Sequence, residues 1–85
     1  MSGIIITVTD ENEQFEYDLE VPIDVKASLL MGDVLEVLRC CDPRINYTVG
    51  RTFFISPRMQ VYVKPDESFE EAGIWNGDKL VIKEV

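Results

Sequence analysis

A small α+β domain, five strands in a mixed sheet packed on one helix, is the fold class this sequence predicts. Three observations carry that expectation. Residues Gln14–Val21 alternate strictly, with Phe15, Tyr17, Leu19 and Val21 on one face and Gln14, Glu16, Asp18 and Glu20 on the other; this is the period of a half-buried strand. Leu30, Val34, Val37, Leu38 and Cys41 then fall at helical spacing, the stripe of an amphipathic helix. Finally, Ser68–Val85 reads as a capped single turn, a glycine stop, a tight turn and a last strand.

Taken in order, Ile4–Thr9 is a β-branched run and predicts the first strand. Asp10–Glu13 is polar and turn-prone, so Ile4–Val21 should form a hairpin. It gathers Asp10, Glu11, Glu13, Glu16, Asp18 and Glu20; the alternation accounts for Glu16, Asp18 and Glu20 as a solvated face, which is favoured over a metal or partner site. Pro22 closes the second strand. The helix is expected within Asp24–Asp42, with Asp24 and Ser28 both open as N-cap and Pro43 as its stop. Gly32 costs about 1 kcal/mol relative to Ala in mid-helix, and Leu29 and Met31 lie off the stripe, at the margin of the core. Arg44–Arg51 is an irregular connection. Thr52–Ser56 and Gln60–Val63 are the third and fourth strands, joined by the turn Ser56-Pro57-Arg58. Ser68 and Glu71 have the capping-box spacing, Gly73 suits a left-handed stop, Ile74 and Trp75 make an apolar plug, and Asn76-Gly77 turns the chain into Lys79–Lys83.

The resulting string is β-β-α-β-β-(short helix)-β. One helix can cover the sheet only if the first and last strands are parallel neighbours. This is a β-grasp arrangement. Phe69, Ala72, Gly73, Ile74, Asn76, Gly77, Asp78, Leu80 and Ile82 resemble the ending of the YukD/EsaB group, ubiquitin-like proteins associated with type VII secretion in Gram-positive bacteria. That resemblance implies a ubiquitin-like fold in which the last strand is central, so that Leu80 and Ile82 should be among the most buried residues, and an accessory role through protein contacts, with secretion-machinery components as partners.

Composition narrows the chemistry. The 85 residues carry 16 acidic against 8 basic side chains, a net charge of −8, with 46% hydrophobic residues. This is a single soluble domain, residues 1–85, burying only roughly 60–65% of its unfolded surface. Nucleic acid and anionic lipid should be repelled, and a basic protein surface is the more natural partner. No apolar run approaches the ~20 residues of a membrane span, and no signal peptide is expected from Met1–Lys26, so a cytoplasmic chain is the expectation, a reading that a cytoplasmic piece of a membrane protein would share. With no His and only Cys40 and Cys41, side by side, the familiar Cys/His zinc arrangements cannot form. The two cysteines are expected as reduced thiols at a helix end, one of them packed. The five glycines stand singly, without a phosphate-binding loop. Catalysis, cofactor, metal and small-molecule substrate are therefore not expected. The sequence ends Lys83-Glu84-Val85, without the Gly-Gly that ubiquitin and the ThiS/MoaD sulfur carriers use, so conjugation is not expected either.

What remains is a surface for proteins. Strand parity sends Leu80 and Ile82 inward and Val81 and Lys83 outward. Ile5 and one of Phe53 or Phe54, here taken as Phe54, should join the outer face. Trp75 is either a plug over the short helix or a surface anchor. The candidate partner-binding surface is thus Ile5, Phe54, Trp75, Val81 and Lys83. Two other functions fit the same pattern: an auxiliary subunit of a toluene-type diiron monooxygenase, and a truncated ThiS/MoaD-like sulfur carrier.

Overall fold

A computed structural model describes residues 3–85. It contains strand β1 (Gly3–Asp10), strand β2 (Glu16–Pro22), helix α1 (Ala27–Cys41), a 3-10 turn (Val49–Arg51), strands β3 (Thr52–Ser56) and β4 (Val61–Tyr62), helix α2 (Phe69–Ala72) and strand β5 (Lys79–Glu84). The sheet order is β2-β1-β5-β3-β4. β5 lies parallel to β1, with Val8 opposite Leu80, and antiparallel to β3, with Phe54 opposite Ile82. The central last strand that the resemblance implies is therefore the one found, and the fold is the mixed five-stranded β-grasp.

One sheet face meets α1. Ile6, Val8, Phe54, Leu80 and Ile82 supply the sheet side of the core, and Leu30, Met31, Val34, Leu35 and Leu38 the helix side. Leu80, Ile82, Leu35 and Leu38 are wholly buried. Phe54 and Phe69 pack edge to face at 5.1 Å between centroids, which ties β3 to the single turn of α2.

Three expectations about α1 are corrected. The buried stripe is Ala27, Leu30, Met31, Val34, Leu35 and Leu38: Met31 and Leu35 take the places given to Val37 and Cys41. Steps of three, one, three, one and three keep a straight helix on one core; the stripe read through Val37 had drifted around the helix. Val37 is 46% exposed, and Cys40 and Cys41 are both exposed free thiols, so neither is packed. The N-cap is Lys26, not Asp24 or Ser28, and no side chain caps the helix. Its first amides donate elsewhere, Ala27 N–H to the Glu67 carbonyl (2.9 Å) and Ser28 N–H to the Pro65 carbonyl (3.0 Å).

β4 is shorter than its alternation suggested, because Gln60 adopts a positive φ of 58° and only Val61 and Tyr62 pair with β3. The segment from Ser68 follows its sequence closely. Ser68 Oγ accepts from Glu71 N–H (3.2 Å), the Glu71 carboxylate accepts from Ser68 N–H (2.9 Å), and Gly73 ends the turn at φ 80°.

Candidate functional site

The sheet face away from α1 is open, and the register sets out what it displays. One row crosses all five strands, Glu16, Thr9, Val81, Ile55 and Tyr62, of which Thr9 is buried beneath its neighbours. Beside it, Lys83 stands opposite Phe53. The Phe53 and Tyr62 rings meet edge to face at 6.2 Å, and Tyr62 is 50% exposed. The β3–β4 half of this face is thus aromatic and aliphatic. The β1–β2 half is charged: Lys79 Nζ lies 2.7 Å from a Glu13 oxygen, Lys83 Nζ 3.9 Å from Glu11, and Thr7 Oγ1 donates to Asp18 at 2.7 Å. The lysine beside it pulls the Glu13 carboxyl below the usual range through a hydrogen bond and its charge, and Glu13 raises Lys79 in the same way.

Phe54 does not belong to this face. Its neighbour across the sheet is Ile82, which points into the core, and Phe54 is 1% exposed against Phe69. Phe53 takes the outward place. Thr52–Ser56 is apolar at both parities, so nothing within the strand distinguishes the two rings. Ile55 and Tyr62 were missed for related reasons: Ile55 shares the ambiguity of its strand, and a two-residue β4 shows no period.

At one end of the face stands Trp75, 63% exposed, beside the turn that leads into β5. Its ring is covered from one side by the Arg58 guanidinium, 3.7 Å from the ring centroid. Arg58 is fixed by Asp78 through two hydrogen bonds (2.9 and 2.8 Å) and by a third to the Gly73 carbonyl (2.7 Å). Asp78 also accepts the Trp75 backbone N–H at 2.8 Å. The Arg58 hydrogen bonds outweigh burial and hold the Asp78 carboxyl below the ordinary aspartate range. The Asn76-Gly77 turn is clamped to β1: Ile5 N–H donates to Asn76 Oδ1 (2.8 Å), and Gly77 N–H to the Ile5 carbonyl (2.6 Å). Gly77 has a φ of 89°, a conformation that L side chains adopt only with strain. Ile5, half exposed, is so brought beside the tryptophan turn, whereas Val81 and Lys83 lie out on the sheet. Arg58 was not foreseen, since a turn arginine carries no signal of the ring it covers.

A rigid aromatic projecting from a hydrogen-bonded turn loses little side-chain entropy on contact. Among the described residues no three His, Cys, Asp or Glu side chains converge as a metal site. No helix is long and apolar enough to cross a membrane.

Comparison with known proteins agrees with this geometry. The family model described as "WXG100 protein secretion system (Wss), protein YukD" matches residues 4–82. The ubiquitin-like domain of the type VII secretion system protein EccD1 from Mycobacterium tuberculosis superposes with a TM-score of 0.75 at 20% identity, over 96% of this chain and 98% of that one. The EccD5 ubiquitin-like domain from Mycobacterium xenopi gives 0.80 at 12% identity, over 100% and 97%. A chain of the MycP5-free ESX-5 inner membrane complex gives 0.80 at 13%, over 100% of this chain and 21% of that one. At these identities the likenesses show the ubiquitin-like fold. No curated protein sequence is similar to the chain at a significant level.

Proposed function

The chain belongs to the YukD family of the WXG100 protein secretion system, and from that membership we propose that it is a non-conjugating, cytoplasmic accessory component that works by binding other proteins of the secretion machinery. The observation that carries the reading is the family match over residues 4–82. The open face adds the means: Phe53, Ile55, Tyr62 and Val81 form an apolar patch on a chain of net charge −8, with Trp75 held rigid at its end by Arg58 and Asp78. The similar fold within an ESX-5 inner membrane complex supports machinery components as the partners. No part of this reading needs a reaction.

The test is a double substitution, Tyr62→Glu with Trp75→Ala, in the native host. Both side chains are at least half exposed, so the thermal midpoint should stay close to that of the parent. Each change should weaken a partner contact by about tenfold or more, ~1.4 kcal/mol or above. Secretion of WXG100 substrates should fall with it. A stably folded double variant that secretes at the parental level would overturn the reading.

A further inference from the structure

The edge of the sheet away from the aromatic patch has a different character. β2 stands first in the order β2-β1-β5-β3-β4, is 7 residues long, and pairs with β1 alone among the described residues. Such an edge turns alternate N–H and C=O groups toward solvent, a template for a further strand. Along it runs a groove of about 450 Å³ between β2 and α1, lined by Leu19, Val34 and Val37. Val37, 46% exposed, is the residue that the shifted helix stripe turns out of the core. Asp18 and Glu20 border the groove on the strand and Asp33 on the helix; among the described residues none of the three has an ion-pair partner.

Charge decides which strand can be added. A second copy pairing through its own β2 would bring Glu16, Asp18 and Glu20 against the same row, and like charges across a strand pair are destabilising. We propose that this edge accepts an extended segment of a partner protein, apolar at every second position with Lys or Arg between, which adds beside β2. Its apolar side chains enter the groove over Leu19, Val34 and Val37. Its cations meet Asp18 and Glu20. Main-chain hydrogen bonds supply affinity, and the alternate side chains supply the choice of partner. The carboxylates that oppose self-pairing are then the ones that select a cationic strand. This site uses none of the apolar-patch residues and neither Trp75 nor its clamp, sharing only Asp18 with the charged margin of the open face, so either reading can fail without the other.

The probe is an acetylated, amidated peptide alternating Lys and Val, titrated into the 15N-labelled protein. Amide shifts should change along residues 17–22 and 30–37. The double variant D18N/E20Q, which neutralises the two carboxylates that meet the cations, should raise the Kd about tenfold, ~1.4 kcal/mol, and Val37→Lys, at an exposed position, should remove binding while leaving the spectrum folded. A Glu–Val peptide should not bind. A peptide of the same composition with its lysines in one block should bind at least tenfold more weakly, since it keeps the charge and loses the alternation. Equal binding by the block peptide would overturn the proposal. So would shifts centred on Phe53, Tyr62 and Val81, no binding at all, or self-association of the protein through β2.

Discussion

The two helices begin in opposite ways although their first turns touch. α2 is capped by its own residues, Ser68 and Glu71 exchanging two hydrogen bonds over one turn. α1 has no side-chain cap. Its first two amides donate to the carbonyls of Glu67 and Pro65, in the segment that leads into α2, and Lys26 forms an isolated antiparallel bridge with Ser68. Glu70 N–H returns the contact to the Ile23 carbonyl (3.0 Å). A helix of one turn cannot repay its nucleation without a local cap. A helix with a wide apolar stripe is held by its core and can take its end bonds from distant chain. The long helix therefore depends on a start that the short one positions.

Phe69→Ala attacks this dependence most heavily. Phe69 is wholly buried and carries α2 against Phe54, so its loss should cost about 3–5 kcal/mol. A domain with about 5–8 kcal/mol in total is left marginal, and both helix starts should loosen together. Urea unfolding with amide exchange measures this. A loss below about 1 kcal/mol would mean that α2 is not the support of α1.

A second test falls on the turn after α2, where a local motif needs a distant partner. Asp78→Ala should cost about 1–2 kcal/mol by removing charged hydrogen bonds to Arg58. The pH dependence follows from the depressed Asp78 carboxyl. Its stabilisation is present above the unfolded value of about 3.9 and is lost as pH falls through the lower folded value. Trp75 fluorescence should accordingly be flat from neutral pH to about 4 and change only below that. A transition centred above pH 5, or one that persists in Asp78→Asn, would dissociate Trp75 from the clamp.

Ser68→Ala is gentler and more specific. Loss of a helix cap costs about 1 kcal/mol. Faster exchange should appear at Glu71, as in any uncapped helix, and also at Ala27 and Ser28, whose acceptors lie at Glu67 and Pro65. Unchanged protection at Ala27 and Ser28 would show that the two starts are independent.

What the sequence made legible follows the same division. The capping box, the Gly73 stop, the Asn76-Gly77 turn and the parity of β5 are each written within a few residues, and all are found where they were read. Features settled by distant contacts were misread or left open. The start of α1 depends on residues 65–68. Phe53 and Phe54 are separated only by the pairing of Phe54 with Ile82. Trp75 could have been plug or anchor until Arg58, bound to an aspartate 20 positions away, covered one side of its ring. The drift of the helix stripe to Val37 and Cys41 had another origin, since following it through Val37 set Met31 aside and passed over Leu35. The correction turns Val37 out toward the β2 groove.

The smallest expected effect is the sharpest test of the contrast between the two starts. Lys26→Ser gives α1 the cap residue it lacks. On a helix with unsatisfied first-turn amides this would add about 1 kcal/mol, and removing a cation from an N-terminus adds a few tenths of a kcal/mol more. Here the amides are already engaged: Ala27 and Ser28 with Glu67 and Pro65, and Leu29 and Leu30 with the Lys26 carbonyl, both at 3.0 Å. A serine hydroxyl at position 26 would have to displace an existing acceptor, so little can be gained beyond the charge. The expected change is below about 0.5 kcal/mol, seen as a urea midpoint nearly equal to the parent with an unchanged slope. Combined with Ser68→Ala, the same substitution should help more, because loosening residues 65–68 frees amides for a local cap. A full 1 kcal/mol gain in the parent background would mean that α1 is short of acceptors, and that its start owes nothing to α2.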